Sequence, residues 1–251
     1  MTDDPRFPYL LRMADTSLVL AQRLSEWLAH APTMEEDMAL ANIGLDLIGN
    51  ARTAYSLAGE IEGRGRDEDQ LAYFRDEREF LNLQLVEQPN RDFAATMARQ
   101  FFFDAWHLPT LEALARGGDE DLAALGAKGA KEAAYHLRHS SSWVVRLGDG
   151  TEESHRRMVE GIDSVWRYCG ELFEFDEVDR ALAEGGWGPG PGEIENSWRA
   201  TVSEVFDEAG LEVPPDAVWA TGSRRGLHTE YLGYILAEMQ YLARSHPGAK
   251  W

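Results

Sequence analysis

The stretch KEAAYHLRHS, residues 131–140, places Glu132 three positions before Tyr135 and four before His136. On a helix, those spacings put side chains on neighbouring ground. A carboxylate-bridged metal pair in a helical bundle takes one acid from each of two helices. Each of two further helices adds a Glu-x-x-His pair. The chain supplies acids at all four places: Asp15, Asp46 in LDLIGNAR, Asp104 in FFFDAWHL, and Glu132. Both imidazoles are missing, because Gly49 follows Asp46 at the required spacing and Tyr135 follows Glu132. Gly49 offers no donor atom. Tyr135 has a phenol able to bind ferric iron, and His136 lies about 100° round the helix from it. Two readings stay open from these residues. One is an altered metal site using Tyr135 or His136. The other is a set of acids held by cations and hydrogen bonds, with Lys128, one turn before Glu132, in place of metal charge.

A second candidate is the run GSRRG, in which Arg224 and Arg225 precede a helix-like segment. Adjacent guanidinium groups near a helix start suit phosphate or carboxylate. The plainer reading is a solvated turn or a salt-bridge anchor. His30 lies at a helix end, where a cation favours the dipole. His107 beside Trp106 reads as packing, and His136 with His139 specifies no further ligand pair. Ser140 and Ser141 lack the surroundings of a nucleophile elbow. No Walker or dinucleotide glycine loop is present, since the glycines of GWGPGPG fail both spacings.

Helical periodicity positions these residues. Leu20, Leu24, Trp27 and Leu28 form one stripe, and Pro32 then breaks the pattern before Thr33, a candidate cap. The spacing predicts a helix over 34–61, a shorter one over 71–86, and one opening at Asp92 that Pro109 should kink. Further helices are expected over 119–147, 152–173, 193–209 and 227–245, with an irregular connector at about 184–192. No strand alternation or tandem repeat is found. An all-α bundle in a single domain, 1–251, is therefore expected.

Composition narrows the function. The 251 residues carry a formal net charge of -20, which disfavours nucleic acid and anionic membrane surfaces as partners. The single cysteine, Cys169, excludes an intrachain disulfide and points to a reducing, cytoplasmic setting. No long apolar run suggests a secretory signal or a membrane span.

The stretches ALANIGLDLIGNAR, FRDEREFLNLQLVEQPN, ARQFFFDAWH, KEAAYHLR, GLHTEYLG and LAEMQYL occur in this order. With them the chain resembles the structural C subunits of bacterial multicomponent phenylacetyl-CoA epoxidases, also called ring-1,2-monooxygenases. The resemblance is weakest over 184–215. It implies a ferritin-like helical bundle with additional C-terminal helices, paired with a homologous catalytic A subunit that holds the di-iron centre. It further implies O2-dependent conversion of phenylacetyl-CoA to its ring 1,2-epoxide, with electrons from NADPH through a flavin and iron–sulfur reductase subunit. This chain would then carry no cofactor and perform no catalysis itself. Asp15, Asp46, Gly49, Asp104, Glu132 and Tyr135 would mark the degenerate metal-site positions. Acyl-CoA would meet Arg224 and Arg225 at a subunit interface, and the isolated chain could form a homodimer.

Overall fold

A computed structural model describes residues 4–215 and 218–249. Every regular element among them is helical. In chain order these are α1 (Arg6–Ser25), α2 (Met34–Glu62), α3 (Glu68–Tyr73), α4 (Gln84–Glu87), α5 (Phe93–Ala115), α6 (Glu120–Gly148), α7 (Glu152–Trp166), α8 (Glu177–Glu184), α9 (Glu193–Ala209) and α10 (Glu230–Ser245). Short 3-10 turns occupy Glu77–Glu79, Gly170–Phe173 and Ser223–Arg225. No helix among the described residues is long and apolar enough to cross a membrane.

Local chemistry sets the helix starts. Thr33 accepts the Glu36 N–H at 3.3 Å, Asp92 that of Ala95 at 2.9 Å, and Asp119 that of Leu122 at 2.9 Å. Each satisfies one of the donors that a helix start leaves without an internal partner. The helix α2 ends at Gly63, whose φ of 68° favours glycine. Pro109 lies inside α5, which runs on through it to Ala115.

Of the described residues, those up to Glu87 and those from Gly222 onward form one compact unit; Gln88–Thr221 form the other. In the first, α1 packs along α2, and α3, α4 and α10 join them. In the second, α5 packs along α6, with α7 and α9 against them. The α5–α6 approach is close because Gly126 has no side chain: a Cβ there would lie 2.5 Å from the Leu111 carbonyl oxygen. Phe101, Phe102, Trp198 and Phe206 fill the core of this unit, with ring centroids 5.6–6.1 Å apart where they pair. Trp198 also donates its indole N–H to the Phe102 carbonyl at 2.9 Å, so burying that ring leaves no stranded donor.

Several expected elements differ. Residues 71–86 are not one helix but α3, a 3-10 turn and α4. Arg75 folds back onto the carbonyls of Leu71, at 2.6 Å, and Glu79, at 2.7 Å. Those acceptors are thus held by a side chain while the chain turns. The helix α1 stops at Ser25, so Trp27 and Leu28 lie beyond it, with Leu28 exposed. The helix α7 ends at Trp166 rather than near 173, and a further short helix, α8, starts at its Asp176 cap. Residues 185–192 form an irregular stretch between α8 and α9.

Candidate functional site

Asp15 on α1 is fully buried in the first unit. One oxygen accepts from the Tyr55 hydroxyl and from the Arg75 guanidinium. The other accepts from Arg75 at 3.1 Å and from the Leu81 N–H at 2.8 Å. Four donors on two oxygens fill the acceptor capacity of a carboxylate. Arg75 is itself enclosed, with its guanidinium 4.4 Å from the Phe80 ring centroid. Burial works against its charge, but the charge and hydrogen bonds of Asp15, with Tyr55 and Glu79, together outweigh it and raise its pKa. Burial, reinforced by the Asp15 charge, pushes the Tyr55 phenol well up, so it remains a donor.

Asp46 and Gly49, on α2 in the same unit, are half-buried. A Cβ added at Gly49 would meet nothing within 4 Å.

In the second unit, Asp104 on α5 is fully buried. It accepts from the Gln100 amide at 2.8 Å, and its other oxygen lies 2.7 Å from the Ser140 hydroxyl on α6. Burial raises its pKa to about 8, against the pull of these two hydrogen bonds. The neutral acid is therefore the main form at pH 7. Ser140 also lies 3.1 Å from the His136 carbonyl, so a protonated Asp104 can donate to Ser140 while Ser140 donates onward to that carbonyl.

His107, one turn from Asp104, is buried against Phe103 at 4.7 Å between ring centroids. Burial first, then His136, lowers its pKa to about 3, leaving a neutral ring. Glu132 is half-buried and Lys128 is exposed, so no buried pair of those two stands in for metal charge. Tyr135 is 45% exposed and lies beside Arg138 and His139, whereas its neighbour His136 is fully buried.

The donor set does not fit a bound metal pair. Asp15 is saturated and faces a guanidinium, and Asp104 is enclosed with the Gln100 amide and the Ser140 hydroxyl. Gly49 has no ligand atom. Among the described residues, no group of three or more His, Cys, Asp or Glu is arranged to hold an ion. Cys169 is no substitute nucleophile, since burial, with help from Glu171, pushes its thiol well up.

Sequence reasoning passes over Arg75 and Tyr55, which neutralise and saturate Asp15. It also passes over Gln100. The spacing Asp104-x-x-His107 is legible and puts two buried polar residues one turn apart on α5, although His107 reads from the sequence only as packing. No comparable spacing points to Arg75, because it reaches Asp15 across 60 residues.

Arg224 and Arg225 form a 3-10 turn between Gly222, with φ 109°, and Gly226, with φ 70°. A Cβ at Gly226 would collide with the Arg78 carbonyl, so both conformation and space require glycine there. Arg225 is exposed and Arg224 half-buried.

With every regular element among the described residues helical, the protein is of the ferritin-like, all-α class, and its buried acids on α1 and α5, Asp15 and Asp104, are each held by the protein's own groups. The chain belongs to the phenylacetic acid catabolic protein family, whose pattern matches residues 1–251. It is similar to the C subunit of the 1,2-phenylacetyl-CoA epoxidase of Escherichia coli (strain K12). The two are 53% identical over 243 residues, covering 97% of this chain and 98% of that protein.

Proposed function

We propose that this chain is a non-catalytic structural subunit of a multicomponent phenylacetyl-CoA 1,2-epoxidase in aerobic phenylacetate catabolism. It supports a homologous di-iron catalytic A subunit, while flavin, iron–sulfur cluster and NADPH belong to the reductase. The reading takes 1–251 as one ferritin-like domain working in the cytoplasm. Asp15, Asp46, Gly49, Asp104, Glu132 and Tyr135 are its degenerate metal-site positions, and Arg224 and Arg225 contact a CoA phosphate at the subunit interface.

The observation that carries this reading is 53% identity along nearly the full length of both chains. The site chemistry supports it independently. Arg75 gives Asp15 a permanent protein cation, and Asp104 is held by Gln100 and Ser140. An inert copy remains useful because ligands on a partner hold productive geometry only when the elements carrying them are well supported.

Reconstitution tests the proposal. Epoxidation of phenylacetyl-CoA is measured with every subunit present and with each omitted in turn, alongside the iron content of this chain. Activity that depends on this chain, with no iron in it, is the expected result. About two irons per chain, or epoxidation by this chain alone, would sink the proposal.

A further inference from the structure

His228 meets acceptors at both ring nitrogens. Nδ1 lies 2.7 Å from a Glu87 carboxyl oxygen, and Nε2 lies 2.7 Å from the Phe80 carbonyl. A neutral imidazole has one N–H and can satisfy only one of them; the imidazolium satisfies both. Glu87 in turn accepts from the Asn82 amide at 2.9 Å, from the Thr229 N–H at 2.7 Å and from the Thr229 hydroxyl. Neither the His228 nor the Glu87 side chain has any exposed surface.

The charged groups bearing on this ring are Glu87 from α4 and Asp15 from α1. Arg75 occupies Asp15, and Arg23 donates to the main-chain carbonyl of Glu87 at 2.7 and 3.0 Å. The same loop carries Arg224 and Arg225, four and three residues before His228. Its Leu227 carbonyl accepts from the Gln84 amide at 2.9 Å, so the loop's C-terminal end is tied to the segment around α4 by several bonds.

We propose that Glu87 and His228 form a protonation-dependent clasp that positions the loop bearing Arg224 and Arg225. Their role toward acyl-CoA rests on the function proposed above; the clasp itself does not. Burial disfavours the charged ring, but the hydrogen bond and charge of Glu87, with the Phe80 carbonyl, outweigh it and raise the His228 pKa above 6.5. The clasp is therefore fully closed below the ordinary imidazole value and loosens as pH rises through the raised one. Glu87 and His228 act as positioning residues: they hold the loop whose arginines would meet substrate.

The test starts with the full chain, its histidines labelled with 15N. The His228 ring should show two protonated nitrogens at pH 6, below the ordinary imidazole value. Hydrogen exchange of amides 222–230, corrected for intrinsic rates, should show about a tenfold or greater loss of protection at alkaline pH, the effect of losing one charge-assisted bond. Glu87→Gln keeps the shape and removes the charge, so it should move this loss to lower pH. A neutral tautomer at pH 6, or loop protection indifferent to pH, overturns the clasp. In the assembled complex, phenylacetyl-CoA affinity should fall over the same pH range and on replacing Arg224 and Arg225 by Ala. A pH-responsive loop with affinity unchanged by those substitutions upholds the clasp and removes the acyl-CoA role instead.

Discussion

Asp15 and Asp104 are two fully buried acids accommodated in opposite ways. Arg75 supplies Asp15 with a cation, whereas Asp104 has only neutral donors and takes up a proton. Opposite consequences follow on substitution. Arg75→Met leaves Asp15 buried without its countercharge and should cost about 3–5 kcal/mol, the usual result of removing one member of a buried pair. Asp104→Asn preserves the shape, with the amide oxygen accepting from Gln100 and the amide N–H donating to Ser140. It also abolishes the cost of ionising a buried acid. Its stability relative to the parent should rise by roughly 3–4 kcal/mol between pH 5 and pH 8. Urea unfolding at the two pH values measures both, and an Asp104→Asn protein that gains nothing on its parent between them would contradict the protonated assignment. The sequence displays these acids plainly. It does not display their partners: Ser140 is 36 residues from Asp104 and Arg75 is 60 from Asp15.

Helix α2 carries apolar residues on two faces. Leu40, Ile43 and Leu47 are buried, whereas Met34, Met38, Leu45 and Ile48 are 75, 60, 65 and 39% exposed. Steps of 4, 7 and 3 residues put the exposed four on one narrow stripe at 100° per residue. Such a stripe favours contact with another protein. The proposed catalytic partner suits it better than a second copy, because two chains of net charge -20 repel. Met38→Glu with Leu45→Glu should leave the helical content intact and reduce co-purification with the catalytic partner by about tenfold or more. Retention at the parental level would move the interface elsewhere. The caps of α2, α5 and α6 are readable, since a capping residue acts on donors two or three positions away. The break-up of 71–86 is not, because long-range demands on Arg75 and Leu81 override the local helical preference.

Across the whole molecule, three buried groups shape the pH dependence of stability. Asp104, raised from 3.8 to about 8, lowers stability as pH climbs through that interval, because the folded state holds a proton the unfolded chain has released. His107, lowered from 6.5 to about 3, does the reverse over its own interval. The two largely cancel between about pH 4 and 6.5. Above 6.5, the contribution of His107 is complete. Asp104 continues to act until about 8, and the stabilisation from His228 is lost as pH passes its raised value. The urea midpoint should therefore hold level near pH 5–6.5 and fall from pH 7 to 9, with Asp104→Asn flattening part of the decline. A midpoint rising steadily to pH 9 would refute these assignments.

The sequence by itself determined the helical class, most helix boundaries and the family, because periodicity, caps and long matching runs are local properties of the chain. It also offers acids at Asp15, Asp46, Asp104 and Glu132, with Gly49 and Tyr135 at the spacings where a di-iron pattern would need imidazoles. Only the tertiary structure decided what those acids do. Their charge state depends on burial and on donors brought from distant segments: Arg75 and Tyr55 at Asp15, Gln100 and Ser140 at Asp104. The Glu87–His228 clasp belongs to the same category, since its members lie 141 residues apart and acquire their chemistry only on meeting.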